Sequence, residues 1–220
     1  MTAVRPPLVP LEAGFVRLRP MRTEDLPALF RAIGHPVVFA AGYGGGPAGY
    51  RDTEEGFLEF ARRYYQWEAG NVYAVILVGG SHDGELVGTT TMGDIDVANE
   101  SVQIGWTAYD PRVWGTVVNV QAKRLLLGAA FEHGFGRVLI QADARNERSR
   151  AAVHRIGATF EGVLRRHKPR ADGSWRDTAV FSVIIDDWPA VRPLLDERIA
   201  AHASHPVEFR ARPTGAPTTR

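Results

Sequence analysis

The 220-residue chain contains no cysteine. That excludes disulfides, thiolate metal sites and a cysteine nucleophile, and it is in keeping with a reducing compartment. No apolar run approaches the roughly 20 residues that cross a bilayer. The N-terminal MTAVRPPLVP lacks the basic-then-apolar order of a signal peptide, so the expectation is a cytoplasmic protein with no membrane partner. Histidine is sparse, at seven residues, and shows no ligand spacing, so no metal is expected. Lysine is missing altogether from Asp52 to Asp110, where 11 Asp and Glu meet two Arg for a net of −9. From Arg112 to Arg170 the balance reverses, with 12 Arg and Lys against four acids and a net of +8. Such segregation suggests two surfaces with different partners. The basic residues form no compact run with interleaved aromatics, so nucleic acid is not an expected partner.

What is present is an ordinary globular balance, with 45% hydrophobic and 23% charged residues, at a length that fits one domain. Residues 1–14 are Pro-rich and read as irregular. Phe15 to Arg19 alternate as a short strand. Thr23 reads as a helix cap with Glu24 and Asp25 in the first turn. AGYGGGPAGY, residues 41–50, reads as a flexible loop. Asp52 or Thr53 opens a second helix to about Ala69. Strands are expected over 72–78, 86–95, 101–109, 137–144, 160–166 and 178–185. Helices are expected from Asn119 to His133, with Gly134 as its left-handed cap, from Asn146 to Gly157, and from Pro189 to Ala201. Residues 202–220 are polar and Pro-rich and read as a disordered tail. The order implies an α/β (α+β) domain with a mixed sheet of about seven strands flanked by helices over 15–201.

The stretch DPRVWGTVVNVQAK, residues 110–123, places a glycine and small residues at the mouth of a helix. A helix N-terminus leaves backbone amides without acceptors and carries partial positive charge. A bound diphosphate satisfies both, and Gly115 permits close approach. Four stretches together resemble the GNAT superfamily of acyl-CoA-dependent N-acetyltransferases, most closely the branch of the ribosomal-protein alanine N-acetyltransferases. They are LRPMRTEDL (18–26), VQIGWTAYD (102–110), RVWGTV (112–117) and DARNERSRAAVHRIGATFEGVLR (143–165). The resemblance spans about residues 15–188. It implies a mostly antiparallel central sheet and acetyl-CoA as co-substrate. The residues it implies for holding acetyl-CoA are Trp106, Thr107, Arg112, Trp114, Gly115, Thr116, Val117, Val118, Asn119, Lys123, Asn146 and Ser149. Val117 stands where the family usually has a small residue.

Transfer of an acetyl group to an amine needs a neutral amine and therefore a proton acceptor. It also needs a backbone donor for the developing oxyanion. The resemblance gives Ser149 the role of proton donor to the departing thiolate, while Asn146 also reads as a plain N-cap. The branch often carries an acid just before "IGW", but here that residue is Gln103, which cannot act as a base. The nearby carboxylates Asp94 and Asp96 share one face of a strand and are the candidate bases. Tyr43, Tyr50 and Trp67 are candidate acceptor-binding residues. The acidic stretch from Asp52 to Asp110 would supply much of the acceptor side and would favour a cationic amine. The acceptor is expected to be a peptide or a small-molecule amine, with monomer and homodimer both open. A non-catalytic CoA-binding protein is the alternative that Gln103 keeps in view.

Overall fold

Asn71–Leu77 is buried at every position, and its neighbour Leu86–Asp96 is buried from Val87 to Gly93. Strands that read as continuous apolar runs need cover on both faces, and the fold provides it. The computed structural model describes residues 2–40, 42–202 and 205–213. Among the described residues there are eight strands: β1 Leu11–Ala13, β2 Val16–Pro20, β3 Asn71–Leu77, β4 Leu86–Asp96, β5 Ser101–Tyr109, β6 Arg137–Asp143, β7 Thr159–Pro169 and β8 Trp175–Ile184. They form one sheet in the order β1-β2-β3-β4-β5-β6-β8-β7. Every pairing is antiparallel except β5 with β6. The helices are α1 Leu26–Ile33, α2 Pro36–Ala40, α3 Glu54–Tyr64, α4 Val118–Glu132, α5 Glu147–Arg155 and α6 Trp188–Ala200. None of them is long and apolar enough to cross a membrane.

Two cores lie on opposite faces of the sheet. One joins Leu18, Val75 and Ile104 to Leu126, Phe131 and Leu195 of α4 and α6. The other joins Ala74 and Ile76 to Leu29, Phe39 and Phe57 of α1, α2 and α3. Helix ends follow their capping chemistry. The Thr53 side chain accepts from Gly56 N at 3.2 Å, and Gly134 closes α4 at φ +83°.

Several elements differ from the sequence expectation. Segment 1–14 is not wholly irregular, because β1 pairs with β2 from Leu11↔Leu18 to Ala13↔Val16. Thr23 does not cap α1. A 3-10 turn, Thr23–Asp25, comes first, and the Asp25 carboxylate accepts from Arg22 N at 2.8 Å. The second helix stops at Tyr64, five residues short of the expected end. The glycine-rich loop is ordered as two 3-10 turns, Tyr43–Gly45 and Pro47–Gly49. It is tied to the β7–β8 turn by Ala171 N donating to Gly45 O at 3.1 Å. Ala41 lies outside the described residues.

The expected disordered tail also differs over 205–213. Val207 is buried in the α4-side core. Phe209 lies between the His82 ring, with centroids 3.7 Å apart, and the Arg112 guanidinium, 3.8 Å from its centroid. Of the same expectation, residues 203–204 and 214–220 lie outside the described residues.

Candidate active site

β5 and β6 pair in parallel for three residues only, from Ser101↔Arg137 to Gln103↔Leu139. Beyond Gln103 no pairing joins them among the described residues, and the gap becomes a cavity of about 540 Å³. Its walls are Ile104–Tyr109 of β5, Ile140–Asp143 of β6, the turn leading into α4, and the first turn of α5. The loss of the ladder has a local cause on β5. Thr91 pairs with Gly105 and Thr89 with Ala108, so Trp106 and Thr107 together oppose Thr90. This is a β-bulge, and Trp106 sits at φ +49°. A bulge takes backbone groups out of the ladder, and here it does so at the cavity wall.

The mouth of α4 is built for an anion. Asp110 is fully buried and organises the turn before the helix: it accepts from Arg112 N at 2.9 Å and pairs with Arg112 Nη2 at 2.6 Å. The chain then turns through Gly115 at φ +72°, a conformation that favours glycine. The N-cap position of α4 is Val117, which supplies no side-chain acceptor. Its first-turn amides therefore lack the usual internal cap. On the facing wall, Arg148 of α5 lies 3.6 Å from the Trp114 ring centroid.

Further in, Lys123 is buried, and its Nζ donates to Thr107 Oγ1 at 3.0 Å. Thr107 in turn shares a hydrogen bond of 2.8 Å with Thr90. Burial pushes the Lys123 ammonium down to about 7, because a charged amine loses its hydration there.

At the opposite end of the cavity stand Tyr43, Tyr64, Arg176 and Asp143. Tyr43 and Tyr65 share a short hydroxyl–hydroxyl hydrogen bond, and burial raises both phenols. Asp143 is paired with Arg170 Nη1 at 2.7 Å, and burial lowers the Arg176 guanidinium.

Of the residues singled out from the sequence, Trp106, Thr107, Trp114, Gly115, Thr116, Val117, Asn119, Lys123, Asn146, Ser149 and Tyr43 line this one cavity. Asn146 caps α5, accepting from Ser149 N at 2.9 Å. The others fall elsewhere. Arg112 is turned to Asp110 and Phe209, and Val118 is buried in the core. Lys123 lies with its amine on Thr107 rather than at the helix mouth, and Arg124 pairs with Asp196 at 2.7 Å. Tyr50 packs on Phe39 with centroids 5.5 Å apart, and the Trp67 indole donates to Ala61 O.

Asp94 and Asp96 are not brought to the cavity. Both border a separate shallow depression beside Gln66 and Ala69. Asp94 accepts from Gln66 Nε2 at 2.7 Å. Asp96 is a turn acid held by Asn99 N and Nδ2 at 3.0 and 2.7 Å. The acidic acceptor wall fails for the same reason. The acids between Asp52 and Asp110 do not line the cavity, and the stretch contributes Tyr64 and Ile104–Tyr109 to it instead. The charged lining is mainly basic: Lys123, Arg148, Arg155, Arg176 and Arg198 against Asp143. Sequence reasoning missed Arg148, although it lies inside the Asn146–Ser149 segment. It also missed Arg176 and Asp143, for which no local pattern existed.

Comparison with known proteins gives concordant results. Residues 16–159 match the family described as Acetyltransferase (GNAT) domain. A protein of Bacillus subtilis (strain 168) named "Putative ribosomal N-acetyltransferase YdaF" is 31% identical over 108 residues, 49% of this chain and 58% of that protein. The chain thus matches little more than half the length of that relative. A T. thermophilus structure titled as an acetyltransferase superposes with TM-score 0.76 at 31% identity, covering 90% of this chain and all of the other. A GCN5-related N-acetyltransferase from Brucella melitensis gives TM-score 0.79 at 26% identity, covering 89% and 87%.

Proposed function

Because the chain belongs to the GNAT acetyltransferase family, we propose that it transfers an acetyl group from acetyl-CoA to the primary amine of a peptide or protein. The observation that carries this reading is the parting of β5 from β6 after Gln103, with the uncapped N-terminus of α4 at one mouth of the gap. The residues present fit an acyl-CoA. The amides from Thr116 to Asn119 and the bare face of Gly115 suit a diphosphate. The bulged edge of β5 offers backbone groups to an extended pantetheine arm. Arg148, Arg155 and Arg198 add positive charge to the walls. Bound there, acetyl-CoA supplies the activated acyl group.

The chain's own residues would do the rest. The bulge at Trp106 and Thr107 presents backbone N–H donors where negative charge develops on the carbonyl oxygen. Ser149 lines the cavity with its backbone fixed by Asn146, and its hydroxyl donates a proton to the departing sulfur. Tyr43 and Tyr64 form an apolar cage that excludes water from the attacking amine. The acceptor class follows the B. subtilis relative, whose name refers to ribosomal N-acetylation.

The test is mass spectrometry of short peptides with free N-termini, incubated with acetyl-CoA and the protein, alongside a panel of small amines. A gain of one acetyl group on a peptide N-terminus supports the reading. Modification of small amines alone moves the acceptor class. CoA binding without any transfer supports the non-catalytic alternative.

A further inference from the structure

The cofactor loop is touched by a segment far away in sequence. Arg210 N donates to Arg112 O at 2.9 Å, and Arg210 Nη1 donates to Trp114 O at 3.3 Å. The Arg210 guanidinium lies against the bare face of Gly115, where an added Cβ would meet Nη1 at 3.0 Å. The segment that carries it is anchored independently. Val207 is buried in the core, Pro206 packs on Gly80, and Glu208 accepts from Ser81 Oγ at 3.1 Å. Phe209 is held between His82 and Arg112. Arg212 lies 3.7 Å from the Asp110 carboxylate that organises the loop. A solvated tail needs none of these contacts. Their joint effect is to hold an exposed guanidinium beside the turn into α4.

We propose that Arg210 is a cofactor-binding residue: the C-terminal segment straps across the turn and delivers its guanidinium to the diphosphate of the acyl-CoA. The inference rests on the reading of α4's mouth as the diphosphate site. A guanidinium has five N–H donors. With one on Trp114 O, others remain for phosphate oxygens, and such charge-assisted bonds are among the strongest available to a protein. The strap also explains why Arg112, expected from sequence to meet the phosphate, does not: its planar face carries Phe209 and its edge carries Asp110. A residue about one hundred positions later takes over its task.

Calorimetric titration of CoA and of 3′-dephospho-CoA into the wild-type protein and the Arg210→Ala variant tests this, with thermal melts as a control on folding. Arg210 is exposed, so the variant is expected to keep the wild-type melting temperature. The expected result is about a tenfold loss of affinity for both ligands in Arg210→Ala, with Arg210→Lys recovering part of it. Equal affinity in wild type and variant overturns the proposal while leaving the diphosphate site intact. A loss seen with CoA but not with dephospho-CoA also overturns it, because Arg210 then reads the 3′-phosphate. Absence of CoA binding in the wild type overturns the site itself and the inference with it.

Discussion

The cofactor end of the cavity is built largely from one continuous stretch, Ile104 to Lys123, whereas the acceptor end is assembled from four separate parts of the chain. The first runs strand, bulge, tight turn and helix, and its polar work is done by backbone groups. The second brings together Gly42 and Tyr43, Tyr64 of α3, Asp143 of β6 and Arg176 of β8. It is held by the Asp143–Arg170 pair and by the docking of Ala171 on Gly45. Backbone geometry tolerates many side chains, so the cofactor end depends on a few conformational positions such as Gly115. The acceptor end depends on side-chain identity and on contacts distant in sequence. That contrast is what lets one fold keep its donor while changing its acceptor.

The largest expected effect tests how far the acceptor end depends on its ion pair. Arg170→Ala leaves Asp143, only 4% exposed, without its guanidinium. Breaking a buried pair by removing one partner costs about 3–5 kcal/mol, which chemical denaturation will read directly. A loss below about 1 kcal/mol would show that Arg176 takes over and that the acceptor end is more plastic than this account holds.

The next effect belongs to the boundary between the two ends, at Lys123. Its folded pKa of about 7 lies below the ordinary value of 10.5. Below about 7 both folded and unfolded states carry the proton, and the full cost of burying the charge is present. Between about 7 and 10.5 the unfolded state binds more protons, so stability rises with pH across that window. Lys123→Met removes the titration. The variant is expected to gain up to about 3 kcal/mol at pH 6 in the ligand-free protein and to flatten the pH dependence of melting between 7 and 10. A wild-type protein whose melting temperature falls steadily from pH 7 to 9 contradicts this placement of the ammonium.

A smaller change is expected at the chemistry itself. Ser149→Ala should lower turnover roughly tenfold to a hundredfold with little change in KM for acetyl-CoA, as proton donation acts chiefly in the transition state. A change below twofold removes Ser149 from the mechanism. The smallest effects are expected from Asp94→Asn and Asp96→Asn. Both carboxylates border a different depression, so each variant should retain turnover within about twofold across pH 6 to 9. A tenfold loss in either would mean that the amine approaches from β4's end.

The contrast between the two ends also decides what was legible in the sequence. The loop with Gly115, the cap at Asn146 and the strand before them are local signals, and most residues drawn from them line one cavity. The bulge at Trp106 left no such signal, because it is a register shift between β4 and β5 rather than a pattern within either. Period-two reasoning about Asp94 and Asp96 identified a shared strand face but not which depression they border. Charge counting along Asp52 to Asp110 likewise could not say which way the acids point. The glycine-rich loop reads as flexible when taken alone, and its order comes from the β7–β8 turn more than a hundred residues away. The tail reads as solvated by composition, and the single buried Val207 with Phe209 is too short a pattern to contradict that.

The central claim, that the mouth of α4 holds the cofactor's diphosphate, is tested most directly by titrating CoA into the wild-type protein and into Gly115→Asp. Aspartate tolerates the positive φ of this position better than most side chains, so the variant should fold with a near-native melting temperature. Its carboxylate would stand beside the bound phosphates. The account predicts a wild-type complex and a loss of about a hundredfold or more in affinity in the variant, from like-charge repulsion in a partly desolvated site. A folded Gly115→Asp protein that binds CoA within threefold of wild type would contradict it.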